Sequence, residues 1–191
     1  MRLYITGSVA SGKSTLAEQI SEITSIPCTH LDSVVHIQRT NSSLGNIKRA
    51  DEDIDKIFYS VINQENFILE DTGRERFIDG MKNADKIIIL DLPVIIRIYR
   101  IFNRWIKQRL GFEECIYKPN IKMLKSMFRW LANYETGKDG TKSRVNLFNS
   151  KAVYLTSQRD IDNYLFDLRK EINRGATISA DNSGKYRDNV T

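Results

Sequence analysis

Residues 3–15 read Leu3-Tyr4-Ile5-Thr6-Gly7-Ser8-Val9-Ala10-Ser11-Gly12-Lys13-Ser14-Thr15: an apolar run, a glycine-bounded loop, then lysine and two hydroxyl residues. The run 3–6 is short, apolar and partly β-branched, which predicts a buried strand of a parallel sheet. Residues 14–23 place Leu16, Ile20 and Ile23 at helical spacing, which predicts an amphipathic helix directly behind the loop. Gly7 permits the turn, and Gly12 lets the backbone close on an anion with no Cβ in the way. Amides from Val9 to Thr15 would then surround a phosphate at the positive end of that helix. A chance match in a glycine- and serine-rich turn would lack the flanking strand and helix. Gly7, Ser8, Val9, Ala10, Ser11, Gly12, Lys13, Ser14 and Thr15 are therefore expected to cradle the phosphates of a nucleoside triphosphate. Lys13 would reach the β and γ oxygens, and the Ser14 hydroxyl would ligate Mg²⁺.

The chain has 191 residues, 41% hydrophobic and 28% charged, enough for one well-buried core with insertions and too few for two full domains. Its hydrophobic stretches are too short or too charged to span a bilayer, and the N-terminus enters the first strand without a signal-peptide plan. A soluble, cytoplasmic protein with no membrane partner is expected. Cys28 and Cys115 lie far apart with no CxxC or Cys/His cluster, which predicts two buried thiols rather than a disulfide framework or a zinc site. The formal net charge is +5, and residues 92–112 carry Arg97, Arg100, Arg104, Lys107 and Arg109 with no carboxylate among them. A basic balance of this kind suits a phosphorylated small substrate or a nucleic acid.

Strand patterns recur at residues 3–6, 67–70, 86–91 and 152–156, with a weaker one at 27–31 ending at Asp32. Helical patterns run between them at 14–23, 51–63, 73–82, 94–110, 120–134 and 158–172. This alternation predicts an α/β fold, a five-stranded parallel sheet between two helical layers. The last helix opens on Ser157-Gln158-Arg159-Asp160, a capping-box pattern. Residues 1–172 form the expected domain, with an acceptor-side insertion at about 33–65 and a lid or insertion at about 97–150. Residues 34–49 read as a polar loop and 113–150 as a second insertion; either is a substrate cover or plain surface decoration. Apolar content collapses after Ile172, which predicts a mobile tail over 173–191.

Ligands of parallel sheets bind at the carboxyl edge of the strands, so the charged residues there are the candidates for chemistry. Asp32 could accept the proton of an acceptor hydroxyl, assist Mg²⁺ through water, or simply cap the next helix. Glu70 and Asp71 both follow the third strand, and the choice of magnesium-side carboxylate between them depends on strand register. Asp91 ends the next strand. Arg74 and Arg76 could grip an acceptor's phosphate or carboxylate, or pair with Glu75 or Asp79 on the surface. His30 and His36 read as structural or surface histidines. Arg97, Arg100 and Arg104 share one stripe of one helix and repel by a few tenths of a kcal/mol per pair. A polyphosphate is their simplest counter-charge, and a solvated basic face is the alternative.

Taken together, GSVASGKS, the IPCTHLD turn, ILEDTGRERF, IIILDLP and the arginine helix RIYRIFNRWIKQR resemble the adenylate kinase-like P-loop proteins grouped as DNA topology modulation (FlaR-type) proteins. The resemblance spans roughly residues 1–168. It implies a nucleotide kinase-like P-loop NTPase fold, ATP with Mg²⁺, an acceptor-binding insertion after the second strand and a lid after the fourth. It matches Gly7, Gly12, Lys13, Ser14 and Thr15 to the phosphate loop and Arg97, Arg100 and Arg104 to the lid-side arginines. With the strand-end residues read above, Lys13, Asp32, Arg97, Arg100 and Arg104 are the expected catalytic residues, and Asp32, Asp71, Arg74 and Arg76 the expected substrate contacts. Asp71-Thr72-Gly73-Arg74 departs from the Asp-Gly-aromatic-Pro-Arg run of adenylate kinases, and the Asp-x-Asp of shikimate kinases is reduced to Asp32. The expectation is a kinase acting on a nucleotide or other small anionic acceptor. The competing expectation is an ATP-binding regulator associated with nucleic acid.

Overall fold

The computed structural model describes residues 1–37, 47–112 and 120–184, with side chains through residue 174. In chain order the elements are β1 (Arg2–Gly7), α1 (Lys13–Thr24), β2 (Cys28–His30), α2 (Leu31–Val35), β3 (His36–Ile37), β4 (Ile47–Lys48), α3 (Asp51–Ile62), β5 (Phe67–Glu70), α4 (Ile78–Asn83), β6 (Lys86–Leu90), α5 (Val94–Arg109), α6 (Ile121–Glu135), α7 (Thr141–Asn146), β7 (Ala152–Leu155) and α8 (Gln158–Gly184). Five strands form one parallel sheet in the order β2-β5-β1-β6-β7. The expected five-stranded α/β/α architecture is the one observed.

Successive strand residues point to opposite faces, and both faces are covered. Tyr4, Leu69, Ile87 and Ile89 pack on one side with Ile54, Phe58 and Ile62 of α3 and with Phe77 and Met81. Leu3, Ile5, Ile68, Ile88 and Leu90 pack on the other with Leu16, Ala17 and Ile20 of α1 and with Ile161, Leu165 and Leu168 of α8. Each such side chain taken from water contributes about 1.5–3 kcal/mol, the main force holding the helices on the sheet. The central position of β1 brings its carboxyl end beside those of β5 and β6, where the strand order reverses and a crevice opens.

The capping box forms as expected: the Ser157 amide donates to Asp160 Oδ2 at 2.8 Å, and the Asp160 amide donates to Ser157 Oγ at 3.1 Å. Four local readings differ from the structure. Residues 34–37 and 47–49 are not plain loop, since His36–Ile37 and Ile47–Lys48 pair antiparallel; residues 38–46 lie outside the described residues. The polar run at 135–142 runs into α7, whose N-cap Gly140 takes the left-handed conformation at φ 72°. Helix α8 continues past Ile172 to Gly184, no proline interrupting it, while residues 185–191 lie outside the described residues. Cys28 is half-buried rather than buried, and Cys115 lies outside the described residues.

Candidate active site

The phosphate loop joins β1 to α1 at the crevice. Gly12 is the N-cap of α1 at φ 97°, a left-handed backbone that glycine adopts without strain. A Cβ there would also stand 3.1 Å from an Arg100 guanidinium nitrogen. The helix has no side-chain cap and no acidic residue in its first turn. Its first N–H groups are therefore left for an anion. Helix α5 clamps the loop from outside: Arg97 Nη1 donates to Ser8 Oγ and Arg100 Nη1 to the Ser11 carbonyl, each at 2.8 Å.

Two clefts open on either side of the loop. The first, about 500 Å³, runs along Ser11, Gly12 and Thr15 between Arg100, Asn103 and Lys107 of α5 and Gln158 of α8. The second, about 760 Å³, lies between Asp32, Arg74 and Arg144 on one side and Met127, Trp130 and Tyr134 of α6 on the other. Ala10, Lys13, Ser14 and Arg104 line both. The two spaces thus meet at the lysine and hydroxyl of the loop.

Register separates Glu70 from Asp71. Glu70 ends β5 opposite Ile5 and His30, and its Oε1 lies 3.4 Å from Lys13 Nζ while Oε2 lies 2.9 Å from His30 Nδ1. Burial pushes the Glu70 carboxyl up, but His30 and Lys13 more than offset this and hold it below the usual range. The Cys28 sulfur and the Glu70 carboxylate raise the His30 imidazole to about 10, keeping it protonated. Glu70 is therefore the acidic partner of Lys13 in the loop.

Asp71, expected to touch substrate, turns away. It is buried, and its Oδ2 accepts from Tyr4 Oη at 3.0 Å, the Gly73 amide at 2.8 Å and the Arg74 amide at 2.6 Å, with Arg74 Nε on its other oxygen at 2.6 Å. It is the knot of the turn after β5. Gly73 takes φ 85°, and a Cβ there would strike Thr141 Cγ2 at 2.6 Å, because α7 closes tightly on this turn. Thr141 Oγ1 donates to the Thr72 carbonyl at 2.9 Å and Arg144 Nε to the Gly73 carbonyl at 2.7 Å.

Arg74 lines the second cleft and bonds Asp32 Oδ1 at 2.8 Å, so these two residues meet as a pair. Arg76 does not join them. Its guanidinium reaches Asp55 of α3 at 2.7 Å and also bonds Asp51, outside the cleft, because the turn at Glu75–Phe77 swings successive side chains apart. The surface partners are thus α3 carboxylates rather than Glu75 or Asp79.

The arginine stripe is not without partners. Arg97, 2% exposed, is 2.6 Å from Glu135 of α6 and 3.7 Å from Asp91, with its guanidinium over the Tyr134 ring. Asp91 in turn binds Lys142 at 2.8 Å. Arg97 is a buried strut between α6 and the loop, which corrects its expected role as a free phosphate ligand. Arg100 and Arg104 line the clefts. Sequence reasoning missed Glu135, Trp130, Arg144 and the role of His30. Only His30 carried a signal, its position at a strand end next to the strand ending in Glu70.

The fold has solved counterparts. A shikimate kinase from Bacteroides thetaiotaomicron superposes with a TM-score of 0.50 at 15% identity, covering 91% of this chain and 98% of that one. The chain has a P-loop kinase fold. A shikimate kinase from Aquifex aeolicus vf5 (TM-score 0.44, 14% identity, 93% and 99% covered) and a gluconokinase from Sinorhizobium meliloti 1021 (0.46, 15%, 91% and 96%) are also similar. No protein-family model and no curated protein matches the chain. The first cleft lies on the α8 side of the loop and the second on the side of Asp32 and Arg74. No described helix is long and apolar enough to cross a membrane.

Proposed function

We propose that the protein is a small-molecule kinase of the adenylate kinase-like group, transferring the γ-phosphoryl of MgATP to a nucleotide or another small anionic acceptor in the cytoplasm. The observation that carries this reading is the meeting of two clefts at Lys13 and Ser14. A nucleotide-binding ATPase needs one such space; a transferase needs a second, opening on the same phosphate. Phosphoryl transfer asks the protein mainly for positioning and charge neutralisation. Loop amides and Lys13 hold the donor phosphates, Arg100 and Arg104 flank them, and Arg74 orients Asp32 toward the acceptor. The bond from the γ-phosphorus to its bridging oxygen breaks as the bond to the acceptor oxygen forms. Where that oxygen belongs to a hydroxyl, its proton passes to Asp32.

The donor set fits Mg²⁺ arriving with ATP. No group of three His, Cys, Asp or Glu among the described residues could hold a metal by itself. Magnesium in kinase sites takes phosphate oxygens and waters together with one or two protein oxygens; here Ser14 would be the protein ligand and Glu70 the magnesium-side carboxylate. Bound there, the ion neutralises charge developing on the phosphates.

A coupled assay of ADP release against a panel of nucleotides, sugar acids and other small anions tests the reading. Acceptor-dependent ADP formation that disappears in Lys13→Ala supports it; ADP release unchanged by every acceptor rejects it. A second reading, the ATP-binding regulator of the FlaR-type resemblance, draws on Lys118, which lies outside the described residues, and on Lys122, Lys125 and Arg129, exposed at i, i+3 and i+7 of α6 beside the exposed Trp130. It requires DNA affinity that falls steeply with salt.

A further inference from the structure

Helix α5 is turned inside out. A surface helix ordinarily buries its apolar stripe and shows water its charges. Here Arg97 is buried, Arg100 bonds the loop and Arg104 lines both clefts, while Ile95 (67% exposed), Tyr99 (68%) and Phe102 (48%) face outward with Ile106. At 3.6 residues per turn, positions 95, 99, 102 and 106 fall within about 60° of one another. Exposed Ile98 and Leu110 widen the face. Of the sixteen residues of α5, the buried ones are Arg97, Ile101 and Gln108.

The size and chemistry of this face select its occupant. With ordinary side-chain areas, its exposed residues present roughly 650 Å², at the upper limit of the largest patch of a typical monomer and most of one partner's share of a standard stable interface. Ile95, Tyr99, Phe102 and Ile106 carry no charge. Arg97 and Arg100 turn to the loop, Arg104 and Lys107 line the clefts, and exposed Arg109, on the same side of the helix as Phe102, lies over the Trp105 ring at 5.3 Å. An anionic lipid surface or an acidic helix would find one cation, Arg109, to pair with there. The complement is an uncharged apolar stripe at the same i, i+4, i+7, i+11 spacing, the seam of two packed helices.

A second α5 supplies it. Laid antiparallel about a two-fold axis between positions 99 and 102, the stripe is complementary to itself: Ile95 opposes Ile106 and Tyr99 opposes Phe102. Two-fold pairs of this kind are the commonest closed assembly. We infer that two copies of this chain pair through the outer face of α5. The pairing braces from behind the helix whose inner face holds Ser8 and Ser11 of the phosphate loop.

Sedimentation of the full chain, from low to about 100 micromolar, tests this, alongside Ile95→Glu and Tyr99→Glu. The wild type is expected as a dimer, and either variant should weaken the dimer by about 30-fold or more with an unchanged far-ultraviolet circular dichroism spectrum. A second measurement holds even if the variants fail to fold. Tyr99→Cys protein mixed with Phe102→Cys protein, in a Cys28→Ser, Cys115→Ser background, should give more covalent dimer on oxidation than either alone. A monomeric wild type, a dimer indifferent to both glutamates, or a monomer that binds phosphatidylserine vesicles through this face would overturn the inference.

Discussion

Lys13 Nζ stands 3.4 Å from Glu70 Oε1, so the lysine of the phosphate loop holds a carboxylate where a triphosphate would bring its own negative charge. Both side chains are largely buried. Removing one partner of such a pair leaves the other charged and uncompensated, which costs more than the pair contributes. Glu70→Gln should therefore lower unfolding free energy by roughly 3 kcal/mol, seen in urea denaturation. Lys13→Ala should cut kcat/KM for ATP by about 100-fold or more and abolish the thermal shift given by ATP.

His30 joins the same cluster, with Glu18 3.9 Å from its Nε2. Its folded pKa is raised from 6.5 to about 10 by the Cys28 sulfur and the Glu70 carboxylate. A raised pKa means that the folded state binds the proton more tightly than the unfolded chain. The stabilisation is full below about pH 6.5 and is lost as pH rises through about 10. Urea denaturation of wild type and His30→Gln should show the largest difference at pH 6, shrinking steadily toward pH 10. A gap that widens with pH would contradict the assignment.

Asp71 and Glu70 are neighbours in sequence with opposite duties. Asp71→Asn keeps the size of the side chain but removes the charge that pairs with Arg74 and accepts from Tyr4 and two amides. A loss of about 3 kcal/mol is expected, with KM for ATP unchanged in the protein that remains folded. Thermal melts and steady-state kinetics on the same preparation separate the two effects.

Arg74 and Arg76 give the complementary contrast. Arg74→Ala removes the group that orients Asp32 in the second cleft, and the KM for the acceptor should rise at least about tenfold. Arg76→Ala breaks only exposed pairs with Asp51 and Asp55, so its stability and kinetics should match wild type within error. Measuring both variants with one acceptor distinguishes a cleft residue from a surface one.

The phosphate loop, the five strands and the capping box of α8 were legible because each is a local pattern: its partners lie within a few residues along the chain. Helix α5 was equally legible as a helix, and its arginines were correctly placed on one stripe. Their apparent isolation was an artefact of looking within the helix, since Glu135 and Ser8 arrive from α6 and the loop. Arg76 was misplaced for a similar reason, its carboxylates lying on α3.

From the sequence alone came the glycine-bounded loop between a strand and a helix, the alternation of strands and helices, and hence the parallel sheet with its loop at the carboxyl edge. Strand spacing and glycine positions suffice for these, because backbone sterics and hydrophobic periodicity act over short stretches of chain. Only the tertiary structure decided which carboxylate meets Lys13, since a one-residue shift along β5 exchanges the faces of Glu70 and Asp71. It alone turned Arg97 from a phosphate ligand into a buried strut and left the apolar side of α5 facing outward. Those outcomes depend on burial and on charges brought together from distant parts of the chain, where Coulomb interaction and desolvation act through space rather than along the sequence.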